Sequence, residues 1–246
     1  MHEKKVKKLL QEFEDLGFDE VHRNFINLLK TEEKAPKKPV DREILLKNLE
    51  NKFKNCKRCP LGESRLNFVF GEGSAFAKVM FVGEGPGFQE DHKGRPFVGR
   101  AGSLLTRIIE NGMRLKREDV YITNIVKCHP MKDPSNPEKR GNDRPPTGDE
   151  VSMCSPILIE QIRIIKPLVI CALGGPSAKY FLKTEKGINM LRGKVYEINP
   201  IPQEPEYSVK LVPTYHPAYL LRNPSAKKLE WEDIKIVMKI IGLKTG

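Results

Sequence analysis

Short apolar runs rich in β-branched residues alternate with stretches of helical periodicity through most of the chain, and this alternation leaves few folds open. Residues 79–82 (Val79-Met80-Phe81-Val82), 120–126, 168–173 and 209–212 read as strands. Residues 101–111, 156–165 and 176–182 read as helices, with Cys154 just ahead of the second and Pro167 stopping it, and residues 228–241 read as a closing helix. Residues 195–198 and 209–212 have the look of a hairpin whose second arm enters the sheet. Strands and helices in alternation imply a mostly parallel sheet covered on both faces. Such a sheet collects its ligands at the carboxyl ends of its strands.

Upstream of this body, Val6, Leu9, Leu10 and Phe13, then Val21, Phe25, Leu28 and Leu29, recur at helical spacing. Residues 30–40 are rich in lysine and proline and read as a linker. Asp41 suits the N-cap of a third helix carrying Leu45, Leu46, Leu49 and Phe53. The expected organisation is a helical hairpin and linker over residues 1–40, followed by a catalytic body over residues 41–246. The hairpin carries no recognisable chemistry, so packing or partner binding is its expected role. No repeat at solenoid periods is present.

Among 246 residues, Lys and Arg number 43 against 32 Asp and Glu, a net charge of +11. That balance favours a polyanionic partner, nucleic acid first, although a lysine-rich thermophile surface gives a similar count. No segment approaches the ~18 uninterrupted apolar residues of a membrane span. The start, Met1-His2-Glu3-Lys4-Lys5, has no apolar stretch behind it. The expectation is a soluble, cytoplasmic protein without membrane contact, where cysteines serve metal, catalysis or packing rather than disulfides.

Cys171 lies mid-strand and reads as a small core residue. The remaining thiols are the C-x2-C pair Cys56 and Cys59, Cys128 after the second strand, and Cys154. Such a set fits zinc or a [4Fe–4S] cluster equally well by spacing. Unrelated thiols are the plainer alternative, and the C-x2-C pair argues against it. In either metal form the centre would act mainly as a staple.

Two loops leave strand ends with chemistry on them. Gly83-Glu84-Gly85-Pro86-Gly87-Phe88-Gln89-Glu90-Asp91 brings tight-turning glycines and carboxylates. His216-Pro217-Ala218-Tyr219-Leu220-Leu221-Arg222 brings an imidazole, apolar side chains and a guanidinium. The first loop fits neither G-x-G-x-x-G nor G-x4-G-K-[ST], which argues against nucleotide phosphate binding.

With the C-x2-C pair, residues 94–102, residues 121–128 and Cys154, these loops resemble the type-4 uracil-DNA glycosylases, DNA-repair enzymes with a four-cysteine [4Fe–4S] site. The matches run in the family's order over about residues 50–242. The resemblance implies a three-layer α/β/α sandwich around a four-stranded, mostly parallel sheet. It also implies a [4Fe–4S] cluster on Cys56, Cys59, Cys128 and Cys154, rather than zinc, and base-excision repair of uracil in single- and double-stranded DNA. A monomer is expected. A sliding clamp suits a repair enzyme as partner, but no motif here supports one.

Residue by residue, the resemblance gives His216 a hydrogen bond to uracil O2 as charge collects there, an effect worth ~3–4 kcal/mol per donor. Asn124, at a strand end, would accept from uracil N3–H and donate to O4, a pattern that rejects cytosine. Phe97 would stack on the extruded base. Glu84 and Gly85 would lie beneath the base and sugar, with Gly83 also in the substrate-binding set. Glu84 or Glu90 would orient water and favour the cationic sugar, with Glu90 otherwise a pocket wall against thymine's methyl group. Leu220 would fill the gap in the duplex, with Tyr219 and Leu221 beside it and Arg222 on a phosphate. Arg100, Ser103 and Arg192 are secondary candidates for backbone contacts. Plainer readings stand beside these: a structural histidine before a proline turn, a strand-end asparagine, a core phenylalanine, and one of Leu220 and Leu221 in the core.

The chain departs from the family pattern at Ala218, where serine is usual, and between Cys128 and Cys154, where a polar, proline-rich stretch is longer by about ten residues. This stretch is similar to the inserted loop of X-type uracil glycosylases, which trap DNA covalently through a histidine. No histidine occurs within its inserted residues 133–146, and Asp143 aligns with that position, so turnover without an adduct is expected. Two other functions remain open at this level: a non-catalytic cluster-bearing DNA-binding protein, and a glycosylase with a broader deaminated-base range.

Overall fold

A computed structural model describes residues 41–245. The helical hairpin and linker expected over residues 1–40 lie outside the described residues. In chain order the helices are α1 (Arg42–Phe53), α2 (Leu61–Ser64), α3 (Phe88–Lys93), α4 (Arg100–Arg107), α5 (Gly148–Ile165), α6 (Gly175–Leu182), α7 (Ile188–Leu191), α8 (Pro217–Arg222) and α9 (Lys227–Ile240). The strands are β1 (Glu72–Gly73), β2 (Val79–Gly83), β3 (Tyr121–Asn124), β4 (Val169–Leu173), β5 (Tyr196–Ile198) and β6 (Val209–Thr214).

The sheet order is β1-β3-β2-β4-β6-β5. The expected four-stranded sheet is its centre: β3, β2, β4 and β6 run parallel. Two short antiparallel edges complete six strands. The β5–β6 hairpin was expected; β1 was not, because a two-residue strand carries no periodicity. At β1 a Cβ on Gly73 would lie 1.8 Å from the Val120 carbonyl oxygen, so only glycine lets this edge close on β3.

The central strands are buried on both faces, and alternate residues serve opposite layers. Met80, Val82, Ile170, Ala172 and Leu211 face Leu46 of α1, Ile157, Leu158 and Ile162 of α5, and Ala178 and Phe181 of α6. Val79, Phe81, Ile122, Val169, Cys171 and Val212 face Leu105 of α4 and Ile234, Val237 and Met238 of α9. This is the three-layer arrangement, and Cys171 is a core residue within it.

Boundaries shifted where capping outweighed apolar pattern. α5 begins at Gly148, well before the expected 156, and Cys154 lies inside it. Thr147 and Glu150 form a capping box at its start, a signal present in the sequence as T-x-x-E. Asp41 caps α1 as expected, accepting from the Glu43 and Ile44 amides at 3.0 and 3.3 Å. Of the apolar stripe assigned to α1, Leu46 is buried and Leu45 exposed.

Candidate active site

Gly83 at the end of β2 pairs with Asn124 at the end of β3, and Leu173 of β4 pairs with Thr214 of β6. The loops beyond these strand ends enclose a cavity of about 640 Å³. Glu84, Gly85, Glu90, Phe97, Asn124, His216 and Arg222 all line it, so two loops and a strand end far apart in sequence meet in one hollow.

Asn124 is buried, and its Oδ1 has no hydrogen-bond partner. A Cβ on Gly83 would stand 2.4 Å from that oxygen and 2.6 Å from Phe97 Cζ. Glycine is required there because the amide and the ring both close over the strand end. A Cβ on Gly85 would come within 2.8 Å of Val126 Cγ2.

His216 caps α8, and its Nδ1 accepts from the Ala218 amide at 3.1 Å. Burial holds its pKa down, at about 4; the Glu90 charge opposes this and the Arg222 charge adds to it. The ring is therefore neutral at neutral pH and carries its proton on Nε2. It lies 5.6 Å from the Phe97 ring, with the planes 35° apart.

Phe97 adopts φ 51°, a left-handed conformation uncommon for a bulky residue. Its loop is fastened from three sides. The Arg117 guanidinium donates to the Pro96 and Phe97 carbonyls at 2.7 and 3.2 Å and to Glu72 at 2.6 Å. Glu90 Oε1 accepts from the Val98 and Gly99 amides at 2.9 and 3.0 Å. Gly102 lets α4 approach the Phe97 carbonyl, where a Cβ would lie at 1.8 Å.

The two candidate acids thus differ. Glu90 is engaged in holding the Phe97 loop. Glu84 is half-buried, and burial alone acts on it, raising its carboxyl above the usual range.

Other assignments change. Leu220 is fully buried, packed with Leu104, Tyr215 and Ala226, because α8 must fix itself to α4. It is a core residue here rather than an exposed wedge. Tyr219 is 38% exposed and stacks on Tyr215 at 4.9 Å. Arg192 is bound to Asp233 at 2.8 and 2.9 Å, which removes it from the backbone-contact candidates.

The stretch after Cys128 was expected to be a surface loop. It also supplies Pro130, Asp143, Arg144, Pro145 and Pro146 to the cavity wall. Asp143 Oδ1 accepts from the Phe88 amide at 3.2 Å and lies 2.7 Å from His129 Nε2. His129 Nδ1 lies 3.5 Å from Asp91, which is buried and accepts from the Leu66 and Asn67 amides. Burial lowers the His129 pKa, but the two carboxylates outweigh it and the net shift is upward. Sequence reasoning missed Arg117, His129 and Lys127, since none stands in a motif that names its partner.

Cys128 and Cys154 are buried, and Cys56 and Cys59 half-buried. Arg65 Nη1 donates to Cys128 Sγ at 2.9 Å, and the Lys127 amide donates to Cys154 Sγ at 3.3 Å. Burial pushes the Cys128 thiol up to about 12; Arg65 opposes this, and the nearby Cys154 and Cys59 add to it. Burial also raises Cys154; the Lys127 charge and amide oppose this, and Cys59 and Cys56 add to it. Among the described residues, no three His, Cys, Asp or Glu side chains are gathered as ligands of a single metal ion.

A family model described as the uracil DNA glycosylase superfamily matches residues 70–237. The chain belongs to this superfamily. Within it, the chain is similar to the type-4 uracil-DNA glycosylase of Thermotoga maritima, 44% identical over 198 residues, covering 79% of this chain and 93% of the relative. It is similar at 41% identity over 200 residues to the type-4 enzyme of Saccharolobus solfataricus, covering 80% and 86%. The type-4 enzyme of Sulfurisphaera tokodaii is 41% identical over 199 residues, covering 79% and 84%. These relatives set the chain in the type-4 branch of the superfamily.

Proposed function

We propose that this chain is a monofunctional uracil-DNA glycosylase of base-excision repair, acting in the cytoplasm on uracil extruded from DNA. The observation that carries the reading is the Asn124 Oδ1, a buried acceptor without a partner, set in the same cavity as a neutral His216 that bears its proton on Nε2. A buried polar atom left unpaired is costly unless a ligand completes it. Uracil N3–H is the donor that fits. O4 then accepts from the Asn124 amide nitrogen, and O2 faces His216.

Extrusion costs a few kcal/mol and is repaid by binding in the pocket. Phe97 stacks on the flipped base, with Gly83 and Gly85 giving the backbone its close approach. The C1′–N1 bond breaks with its electron pair moving to N1, so the base departs as an anion and the sugar gains oxocarbenium character. His216 Nε2–H stabilises the charge collecting on O2. Glu84 orients the attacking water and favours the cationic sugar; the water oxygen bonds to C1′ and its proton leaves to solvent or base. Glu90 acts by holding the Phe97 loop. Arg222 takes a phosphate, and Tyr219, the exposed aromatic beside the buried Leu220, enters the gap in the duplex.

Cys56, Cys59, Cys128 and Cys154 would hold a [4Fe–4S] cluster, which would supply a structural staple between the segment before the sheet and two of its loops. Two N–H donors aimed at thiol sulfurs suit cluster ligands.

Release of uracil from single- and double-stranded oligonucleotides, read as alkali-labile sites, tests the reading. Cleavage by the native chain, slowed by about 100-fold or more in both Asn124→Ala and His216→Ala, is the expected result. Uracil-DNA binding without cleavage by the native chain overturns it.

A further inference from the structure

A fully buried lysine stands behind the base-reading amide, and the chemistry above gives it no task. Lys127 Nζ donates to the Asn124 carbonyl oxygen at 2.6 Å, to Thr123 Oγ1 at 2.6 Å and to Gln161 Oε1 at 2.7 Å. All three acceptors are neutral. Burying an ammonium among neutral oxygens is costly, and an apolar side chain of similar length would fill the same space without that cost. What the ammonium adds is direction: it joins three oxygens at fixed angles.

Two of those oxygens are themselves held. Thr123 Oγ1 donates to the Phe70 carbonyl at 2.9 Å, and Gln161 Nε2 donates to the same carbonyl at 2.9 Å and to Tyr121 Oη at 3.0 Å. The third belongs to Asn124, the last residue of β3, where the chain leaves the sheet. Lys127 closes the turn that follows, and its own amide donates to Cys154 Sγ. The backbone of Asn124 is thereby tied to α5 through a rigid network rather than left to the strand end.

We propose that Lys127 is a positioning residue for base recognition, holding the Asn124 carbonyl so that the side-chain amide meets the base edge at a set angle. This inference rests on the reading of Asn124 as the uracil contact. A reader held by a locked supporting shell needs no reorganisation when the base arrives.

A double-mutant cycle separates this role from general stabilisation. Single-turnover uracil release is measured for the native chain, Lys127→Met, Asn124→Ala and the double variant. Lys127→Met is expected to slow release by about 10- to 100-fold in the native background and by no more than about 3-fold where Asn124 is already alanine. An equal loss in both backgrounds, or no loss in either, overturns the inference. If Asn124→Ala alone costs nothing, the reading of Asn124 has failed instead. Should Lys127→Met not fold, Thr123→Val removes one tie of the same network and is read in the same two backgrounds. A loss confined to the background that keeps Asn124 supports the proposal; an equal loss in both, or none in either, overturns it.

Discussion

The Ala218 amide donates to His216 Nδ1 at 3.1 Å, and that one bond decides which imidazole nitrogen presents a proton to the cavity. The ring holds its donor in place without an ionised partner, because burial and the Arg222 charge both keep it neutral. Replacing His216 by alanine removes the donor proposed for uracil O2. Single-turnover uracil release is expected to slow by about 100- to 1,000-fold. A loss smaller than about tenfold would mean that the departing base finds its stabilisation elsewhere.

The same imidazole makes folding stability depend on pH. Its native pKa, about 4, lies below the ordinary 6.5, so between those values the unfolded chain binds more protons than the native one. The contribution of the neutral ring is complete above pH 6.5 and is lost as pH falls through 4, with a size on the order of 3 kcal/mol. Thermal melts of the native chain and His216→Ala should therefore converge as the solution is acidified toward about pH 4. Curves that stay parallel across this range would show that the ring charges freely in the folded state.

Glu230 of α9 predicts the opposite slope. Burial raises its carboxyl to about 8, with the Asp233 charge adding to this and Lys227 opposing it. Asp233 is the member of the pair that keeps its charge, since Arg192 and Thr214 both donate to it. A protonated Glu230 stabilises the fold fully below 4.5, and that share is lost as pH rises through 8. Glu230→Gln should match the native chain near pH 5 and melt several degrees higher near pH 9. Equal melting points at both values would show that Glu230 titrates normally.

How much of this was legible depended on whether a signal was local. The parallel centre of the sheet was readable because Val79–Gly83 and Val169–Leu173 are buried on both faces and therefore continuously apolar. That His216 and Asn124 share one cavity was legible because Asn124 ends β3 and His216 closely follows β6, each inside an ordered motif. The burial of Leu220 was not legible, because an apolar residue in a loop motif carries no mark of whether α8 turns it inward or outward; in the structure it packs against Leu104 and Tyr215. The grip of Glu90 on the Val98 and Gly99 amides, and that of Arg117 on the Pro96 and Phe97 carbonyls, use backbone partners that sequence does not announce. The inserted stretch hid its place in the cavity wall for the same reason: Asp143 reaches Phe88 across 55 positions of chain.

Asp143 also bears on what the enzyme leaves behind. Its Oδ1 is engaged by the Phe88 amide and lies against His129, so the carboxylate is committed to holding the loop. Denaturing gels after incubation with uracil-DNA should show free DNA carrying abasic sites and no retarded protein–DNA band. A persistent band lost in Asp143→Asn would make this carboxylate a covalent trap.

The thiol centre predicts a colour and a metal. Protein purified without oxygen should carry iron and sulfide, show broad visible absorption, and hold no stoichiometric zinc. Cys128→Ser and Cys154→Ser should lose the absorption and melt earlier, because each would remove a proposed ligand that joins a sheet loop or α5 to the centre. Stoichiometric zinc in a colourless native protein would replace the cluster in this account.

Gly83→Ala tests the geometry of the pocket with one methyl group. Gly83 does not appear among the positive-φ glycines, so alanine adds no backbone strain, and the cost falls on its neighbours. The new carbon would stand 2.4 Å from Asn124 Oδ1 and 2.6 Å from Phe97 Cζ, so both side chains must move. They border a cavity of about 640 Å³ and have room to swing into it. Stability should therefore fall by no more than the ~1–3 kcal/mol of an overpacked site. Recognition should suffer far more, because the amide and the stacking ring leave the base edge together: uracil release should drop by at least about 100-fold, and free uracil should no longer inhibit. A Gly83→Ala variant that works at the native rate would mean that the base does not sit between Asn124 and Phe97.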